Sequence, residues 1–173
     1  MTSVEIIRVS SQDLLSLQKI SQQTFIEAFA AVNTAANMKK YLDEKLSVEQ
    51  LQSEINDTNT EFYFAILDEN IIGYLKLNFG ASQTEIKADN TVEIERIYVQ
   101  QNFLGKNIGQ QLFQKAVDIA REKLAAYIWL AVWEENKRAI QFYKKNGLIA
   151  FGQHKFQLGD DLQTDLMMKL ELQ

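Results

Sequence analysis

Gly105 and Gly109, four residues apart, belong to a segment with the composition of an anion-binding loop. Residues 92–109, VEIERIYVQQNFLGKNIG, are typical of a strand, a tight loop and the first turn of a helix. Backbone N–H groups at a helix start lack partners and lie at the positive end of the helix dipole. A glycine-containing loop that leads into such a start is therefore a natural anion site.

The charges around this loop support the same use. No acidic residue occurs between Glu95 and Asp118, whereas Arg96 and Lys106 lie on either side of the loop. Ordinary helices favour Asp or Glu in their first turn, but this one has Asn and Gln there. We therefore expect a bound ligand to supply the negative charge.

The strand before the loop has an irregular apolar pattern. Val92 and Ile94 are apolar at even positions, whereas Ile97 and Val99 are apolar at odd positions. A regular strand with this pattern would turn one apolar pair to water. A β-bulge near position 95 or 96 would correct the pattern and re-aim side chains. Alternatively, both faces of the strand are covered and its glutamates lie at a wet end. The pattern alone leaves both interpretations open.

A second candidate pair lies further along the chain. Asn136 and Tyr143 are seven residues apart, so they share one face of a predicted helix with Ala139 and Ile140. The Tyr143 hydroxyl can lie near the ligand of the loop if the strands before the two helices are neighbours. Alternatively, Asn136 is only an N-cap and Tyr143 only a packed aromatic residue.

The whole chain has the composition of one soluble globular domain, residues 1–173. Its apolar share is 46% and its charged share is 24%. The formal charge of −5 argues against a nucleic-acid partner, which usually needs a basic surface. With no cysteine and a single histidine, His154, thiolate and intramolecular multi-histidine metal sites are excluded. No signal peptide or membrane span is recognisable, so we expect a cytoplasmic protein without a membrane partner.

Hydrophobic periodicity predicts a mixed α/β (α+β) sheet in one domain. The predicted order is strand, helices, three strands, helix, strand, helix and two strands. The predicted ranges include a strand over Val4–Val9, a helix from Gln12, helices over 35–45 and from Ser47, a hairpin from Glu61, a helix over 107–124, and a strand over Tyr127–Trp133. Phe25, Phe29, Met38 and Tyr41 either pack in the core or line a substrate cleft.

Three segments together resemble the GNAT superfamily of acetyl-CoA-dependent N-acetyltransferases. They are IERIYV (94–99), FLGKNIGQQL (103–112) and WLAVWEENKRAIQFYKKNGL (129–148). The resemblance implies a GNAT-like fold, a central and mostly antiparallel sheet of about seven strands with helices on both faces. It also implies acetyl-CoA as the co-substrate.

Further segments are similar to the PaiA-type bacterial polyamine acetyltransferases. They are TFIEAF (24–29), NMKKYL (37–42) and GDDLQTDLMMK (159–169). This similarity implies a polyamine such as spermidine or spermine as the amine substrate. A protein N-terminus, a lysine side chain or a non-catalytic acyl-CoA-binding role are alternatives. The oligomeric state is open, with a homodimer as one possibility.

The pyrophosphate loop departs from the family pattern at two positions. Leu104 replaces a Gln or Arg, and Asn107 replaces a glycine. Asn tolerates the left-handed backbone conformation better than most residues, and such loops bind mainly through backbone N–H groups. We therefore expect the site to be retained.

The resemblance assigns a role to each matching residue. The backbone of Ile97, Tyr98 and Val99 would pair with the pantetheine arm of the cofactor. Asn136 would contact pantetheine or the phosphates, and Lys145 would lie near a phosphate. Tyr143 would be the general acid that protonates the departing thiolate. The N–H groups that would hold the pyrophosphate belong to Leu104, Gly105, Lys106, Asn107, Ile108, Gly109 and Gln110.

The chemistry implied by this resemblance requires a neutral amine. An alkyl amine is almost entirely protonated at neutral pH, so a base or a proton path assists the reaction. Glu95 is the first candidate for this base and Glu93 the second, acting through water. Since the chain has no cysteine, we expect direct transfer without an acyl-enzyme.

The acceptor end is less specific in the sequence. Acidic residues that could either line this end or carry solvated surface charge are Glu27, Asp43, Glu44, Asp160, Asp161 and Asp165. His154 is expected on a strand surface rather than in a catalytic role.

Overall fold

The structure, a computed structural model, describes residues 3–173 as a seven-stranded sheet with five α-helices. Residues 1 and 2 of the predicted domain lie outside this range. The strands are β1 (Glu5–Arg8), β2 (Thr60–Leu67), β3 (Asn70–Phe79), β4 (Thr91–Val99), β5 (Tyr127–Trp133), β6 (Ile149–Leu158) and β7 (Asp161–Glu171). The helices are α1 (Leu14–Phe29), α2 (Ala35–Lys45), α3 (Val48–Asn56), α4 (Ile108–Glu122) and α5 (Lys137–Lys145).

The sheet has the strand order β1-β2-β3-β4-β5-β7-β6. Strands β4 and β5 are parallel, and the other neighbouring strands are antiparallel. A parallel pair needs a crossover connection, and α4 provides it between β4 and β5. The expected mostly antiparallel sheet of seven strands is thus confirmed.

Helices cover both faces of the sheet because its central strands are apolar on both sides. In β2, Tyr63 and Ala65 pack on the face that contacts Leu112 of α4. Phe62 and Phe64 pack on the opposite face, against helices α1 to α3. This alternation explains why the segment EFYFAIL reads as a continuous apolar run in the sequence.

Side-chain caps fix the starts of helices α1 and α2. Thr34 accepts a hydrogen bond from the backbone N–H of Asn37 and thereby starts α2, as predicted. A capping box formed by Ser10 and Asp13 precedes α1. One 3₁₀ turn intervenes there, so the α-helix begins at Leu14 rather than at the predicted Gln12.

A β-bulge in β4 is confirmed. Lys76 of β3 pairs with Arg96, but the adjacent Leu77 pairs with Ile94, so Glu95 is an extra residue on β4. As a result, Ile97 and Val99 pack on the same apolar cluster as Val92 and Ile94. The alternative of glutamates at a wet strand end is wrong for Glu93, which is only 2% exposed.

None of the helices in residues 3–173 is long and apolar enough to span a membrane.

Candidate active site

Strands β4 and β5 diverge and open a cleft at the centre of the sheet. Their ladder ends at the pair Glu93–Trp129, although β4 continues to Val99 and β5 to Trp133. Within the described residues, no strand pairs with this edge of β4 beyond Glu93. The backbone of Ile97, Tyr98 and Val99 therefore borders the cleft, as the resemblance implied.

The cleft belongs to a cavity of about 1350 Å³. This volume exceeds the roughly 300–1,000 Å³ of ordinary small-molecule pockets. The cavity runs from the start of α4 and the inner face of α5 to helices α1–α3 and strands β6 and β7. One continuous space thus connects the loop before α4 with helices α1–α3.

The loop before α4 forms one end of the cavity. Gly105 has a φ of +80° and Asn107 has a φ of +67°, so both adopt the left-handed conformation. The prediction that Asn107 accommodates this geometry is confirmed. Helix α4 then begins at Ile108, and its first turn carries no acidic residue.

The glycines of this loop leave its backbone open. A Cβ atom placed on Gly105 or Gly109 would meet no other atom within 4 Å. Their exposed backbone and the start of α4 together fit an anionic group such as a pyrophosphate. Lys106 does not line the cavity like the other six predicted loop residues, because its ammonium lies over the Phe103 ring, 5.4 Å from the centroid.

Helix α5 forms the adjacent wall and is tied to α4. Gln110 donates a hydrogen bond to Asn146 at 2.8 Å, which joins the first turn of α4 to the end of α5. Asn136 accepts a hydrogen bond from the backbone N–H of Ala139 at 3.2 Å and also lines the cavity. Asn136 is thus an N-cap, and its cavity position leaves the predicted cofactor contact open. Lys145 lines the same cavity.

Tyr143 lies at the junction between this wall and the cleft. Its side chain is 8% exposed, and it lines the cavity while packing in the apolar core. Burial raises the pKa of the Tyr143 hydroxyl above its ordinary value. The group therefore stays protonated and is able to donate a proton or a hydrogen bond.

Glu95, the bulged residue, belongs to a closed ring of four charges, two buried cations and two partly buried carboxylates. Lys76 Nζ lies 2.8 Å from Glu54 and 2.9 Å from Glu95. Arg96 lies 3.2 Å from each of the same two carboxylates. The four side chains are between 5% and 20% exposed. The ring lies against the cavity, between α3 and the bulge.

This ring makes Glu95 a weak base. Burial raises the pKa of Glu95, but the charges of Arg96 and Lys76 and the hydrogen bonds from Lys76 and Asn78 outweigh burial and lower the pKa to about 2. A carboxylate with such a pKa holds a proton poorly at neutral pH. The lowered pKa disfavours the predicted first-candidate role of Glu95 as the base, which stays a prediction.

Glu93 has the opposite environment. It accepts hydrogen bonds from Thr84, at 2.8 Å from the backbone N–H and 2.6 Å from the hydroxyl. Asn78 donates to Glu93 at 3.0 Å and to Glu95 at 2.9 Å, and so bridges the two carboxylates. Burial, partly opposed by these hydrogen bonds, raises the pKa of Glu93. Two neighbouring carboxylates with divergent pKa values are typical of divided acid–base roles.

Aromatic side chains line the acceptor end of the cavity. Tyr41 stacks on Phe25 with ring centroids 4.1 Å apart, and Phe156 lies 6.2 Å from Tyr41. Phe25, Phe29 and Tyr41 line the cavity, whereas Met38 packs in the core. The cleft interpretation therefore holds for Phe29 and Tyr41, the core interpretation holds for Met38, and Phe25 fits both.

His154 lies on strand β6, as expected, and pairs there with two carboxylates. Its Nδ1 lies 2.7 Å from Glu85 and its Nε2 lies 3.3 Å from Asp165. Burial lowers the pKa of His154, but the hydrogen bonds and charges of these two carboxylates raise it overall. His154 and Asp165 line the cavity.

The other acidic candidates differ in whether they line the cavity. Glu27 lines the cavity and accepts a hydrogen bond from the backbone of Gln101 at 3.0 Å. The remaining four do not line it: Asp43 pairs with Lys39, Glu44 is exposed, Asp160 accepts from Asn37, and Asp161 accepts from Gln163. Sequence reasoning missed Glu54, Lys76, Asn78 and Thr84, which no local pattern distinguishes.

The fold and the divided cavity define an acyltransferase with a donor end and an acceptor end. Residues 22–148 match the model of the Acetyltransferase (GNAT) family, which is more than half of the chain. The chain belongs to this family. It is an N-acetyltransferase that uses acetyl-CoA as its co-substrate.

Particular relatives agree with this assignment. The chain is 40% identical over 172 residues to an uncharacterized N-acetyltransferase in the pepI 3′ region of Lactobacillus delbrueckii subsp. lactis, covering 99% of both proteins. It is 28% identical over 171 residues to spermidine N(1)-acetyltransferase of Thermoplasma acidophilum, covering 96% of both.

A solved structure confirms the expected likeness to PaiA. PaiA N-acetyltransferase from Thermoplasma acidophilum, in complex with coenzyme A, matches with a TM-score of 0.81 and 25% identity. The match covers 98% of this chain and 99% of that chain.

Proposed function

We propose that this protein acetylates a primary amine of a polyamine such as spermidine or spermine, by direct transfer from acetyl-CoA. The observation that carries the proposal is Glu93, a buried carboxylate that lines the cavity where its donor and acceptor ends meet. The formal charge of −5 and the carboxylates of the acceptor end favour a cationic substrate. The similarity to a spermidine acetyltransferase supports the same class.

The donor end supplies binding groups for acetyl-CoA. The N–H groups of residues 104–110 would hold its pyrophosphate, and the free β4 edge at residues 97–99 would pair with its pantetheine arm. Asn136 and Lys145 line the same end and would contact the arm and a phosphate. Acetyl-CoA supplies the acetyl group as a thioester.

Glu93 and Tyr143 would handle the protons of the reaction. Glu93 accepts a proton from the acceptor ammonium, directly or through water, which leaves a neutral amine. The amine nitrogen attacks the acetyl carbonyl carbon, the C–N bond forms and the C–S bond breaks. The Tyr143 hydroxyl donates its proton to the departing thiolate, and a backbone N–H near the bulge stabilises the developing oxyanion.

Release of thiol from acetyl-CoA tests the proposed substrate class. We expect turnover with spermidine and spermine at lower concentrations than with aminoglycosides, a lysine-containing peptide or a peptide with a free N-terminus. Preference for either peptide would contradict the polyamine assignment and favour a protein acetyltransferase. Coenzyme A binding without thiol release in the presence of any amine would contradict it in favour of a non-catalytic role.

Tyr143→Phe tests the general acid. The variant keeps the ring that packs in the core and removes only the hydroxyl. We expect turnover to fall by roughly tenfold or more, since general acid catalysis is worth about 10²–10⁴ and water can replace part of it. The dissociation constant of coenzyme A, measured by calorimetry, should stay within about twofold. Unchanged turnover would remove Tyr143 from this role.

A further inference from the structure

The ring of Glu54, Lys76, Glu95 and Arg96 in the cavity wall is closed and has no net charge. Each cation, Lys76 or Arg96, contacts both carboxylates, Glu54 and Glu95. The ring therefore carries two positive and two negative charges. Its members come from α3, β3 and β4, so it joins the acceptor-side helices to the bulge.

Stability alone does not account for such a ring. Replacing a buried ion pair by apolar residues of similar volume is often neutral or stabilising, because removing the charges from water is costly. The ring is also located next to the reacting groups rather than in the distant core. It lines the cavity, and Asn78 connects its Glu95 carboxylate directly to Glu93.

We propose that the ring fixes Glu95 as a permanent anion, which leaves Glu93 as the carboxylate that exchanges a proton with the acceptor amine. Glu54, Lys76 and Arg96 are then positioning residues for the reaction. Asn78 holds the carboxylates of Glu93 and Glu95 at a fixed separation. The inference rests on the proposed role of Glu93.

The ring should set the proton affinity of Glu93 by its charges. Removal of a cation leaves an excess of negative charge near Glu93 and raises the pKa of that carboxyl. Removal of a carboxylate from the ring leaves an excess of positive charge and lowers it. Charged and titratable groups from several elements line or adjoin this side of the cavity. They are Glu27 (α1), Tyr41 and Lys45 (α2), Glu54 (α3), Lys76 (β3), Glu95, Arg96 and Tyr98 (β4), Glu85 (the loop after β3), His154 (β6) and Asp165 (β7).

The pH dependence of kcat/KM for spermidine measures this effect. A base must be deprotonated to work, so the rate rises with pH through the pKa of Glu93 and gives an acid limb. The pKa of the amine substrate is the same for all variants, so a difference between their pH profiles comes from the enzyme. The ¹³C shift of the Glu93 side-chain carboxyl, assigned by its loss in Glu93→Gln, gives the same pKa without turnover.

Two substitutions and their combination form the test. We expect Glu54→Gln to move the acid limb to lower pH and Lys76→Gln to move it to higher pH, each by on the order of one pH unit. The double variant Glu54→Gln/Lys76→Gln keeps the Glu95–Arg96 pair and should return the limb close to its original position. Lys76→Arg, which keeps the charge, should leave it in place.

The Lys76 substitution is the decisive one. General loosening of the site would hydrate Glu93 and so lower its raised pKa. Loss of the Lys76 cation must instead raise the pKa of Glu93 further. Lys76→Gln alone can fail to fold, since breaking a buried pair costs about 3–5 kcal/mol. In that case the comparison of Glu54→Gln with the double variant measures the same loss of the Lys76 charge, and the double variant keeps the balanced pair of Glu95 and Arg96.

The experiment distinguishes failure of the proposed function from failure of the proposed role of the ring. If Glu93→Gln retains the acid limb, Glu93 is not the base and the proposed function loses its main support. If Glu93→Gln abolishes the limb but removal of Lys76 does not move it to higher pH, the base assignment stands and the role of the ring is overturned.

Discussion

The donor half of the cavity is built from backbone, whereas the acceptor half is built from side chains. The donor half comprises the β4 edge at residues 97–99, the loop at 104–110 and the inner face of α5. Its proposed binding groups are mainly backbone N–H and C=O groups at an open strand edge and a helix start, with the side chains of Asn136 and Lys145 beside them. The acceptor half joins the carboxylates, cations and aromatic rings of α1–α3, β3, β6 and β7.

This difference determines how each half responds to sequence change. A backbone site tolerates substitution wherever the new side chain permits the same backbone conformation. Asn107 adopts the left-handed conformation that a glycine would otherwise provide, and Leu104 leaves the loop backbone in place. A side-chain site depends on each charge, because its members determine one another's protonation. We therefore expect larger effects from isosteric changes in the acceptor half.

The largest effect is expected for Glu93→Gln. The amide keeps the size of the side chain but cannot accept the proton, so turnover at pH 7 should fall roughly a hundredfold or more. The acid limb of the pH profile should disappear as well. Steady-state kinetics from pH 5 to pH 9 would measure both effects.

Glu95→Gln is the matched control in the same strand. It removes a carboxylate with a pKa of about 2, which carries no proton in this pH range. We expect a smaller loss of turnover and a retained acid limb, moved to lower pH because one negative charge near Glu93 is gone. If Glu95→Gln abolished the limb and Glu93→Gln retained it, the two roles would be reversed.

The same difference explains what the sequence could predict. The loop at 104–110, the strand β5 and the cap at Asn136 are local features, so periodicity and turn chemistry identify them. The bulge at Glu95 left a local trace, the phase change of apolar residues in β4. The ring has no such trace, because Lys76 meets Glu54 and Glu95 only where elements distant in the chain pack together. The sequence therefore predicted both carboxylates, but it ranked Glu95 before Glu93 without the long-range contacts that shift their pKa values in opposite directions.

In the donor half, a negative charge should matter more than added bulk. Gly109→Glu places a carboxylate in the first turn of α4, where no acidic residue occurs. Gly109→Gln adds a side chain of the same size without charge, into space that is open within 4 Å of a Cβ. We expect coenzyme A to bind about tenfold more weakly to the Glu variant than to the Gln variant.

Calorimetry at two ionic strengths tests this difference. The gap between the two variants should narrow at high salt, since exposed charges are screened. Equal dissociation constants for the Glu and Gln variants would show that the phosphates do not lie at this helix start. The KM for spermidine should change little in either variant, because position 109 lies in the donor half.

The smallest effect concerns the pH dependence of stability at the acceptor end. His154 bridges Glu85 and Asp165, and the hydrogen bonds and charges of both carboxylates outweigh burial and raise the pKa of His154. Glu134 adds a third negative charge near Asp165, whose own pKa is raised by burial. A raised histidine pKa stabilises the folded state fully below the unfolded value, about 6.5, and the contribution is lost as pH rises through the folded value.

The contribution of His154 should therefore be present at pH 6 and absent at pH 9. We expect His154→Gln to lower the free energy of unfolding at pH 6 by less than about 1 kcal/mol, as for partly exposed ion pairs. The difference from the unsubstituted protein should then fade by pH 9. A double-mutant cycle with Glu85→Gln isolates the pair, and its coupling energy should fall over the same range. A coupling that is equal at both pH values would mean that packing or neutral hydrogen bonding, rather than charge, joins His154 to Glu85.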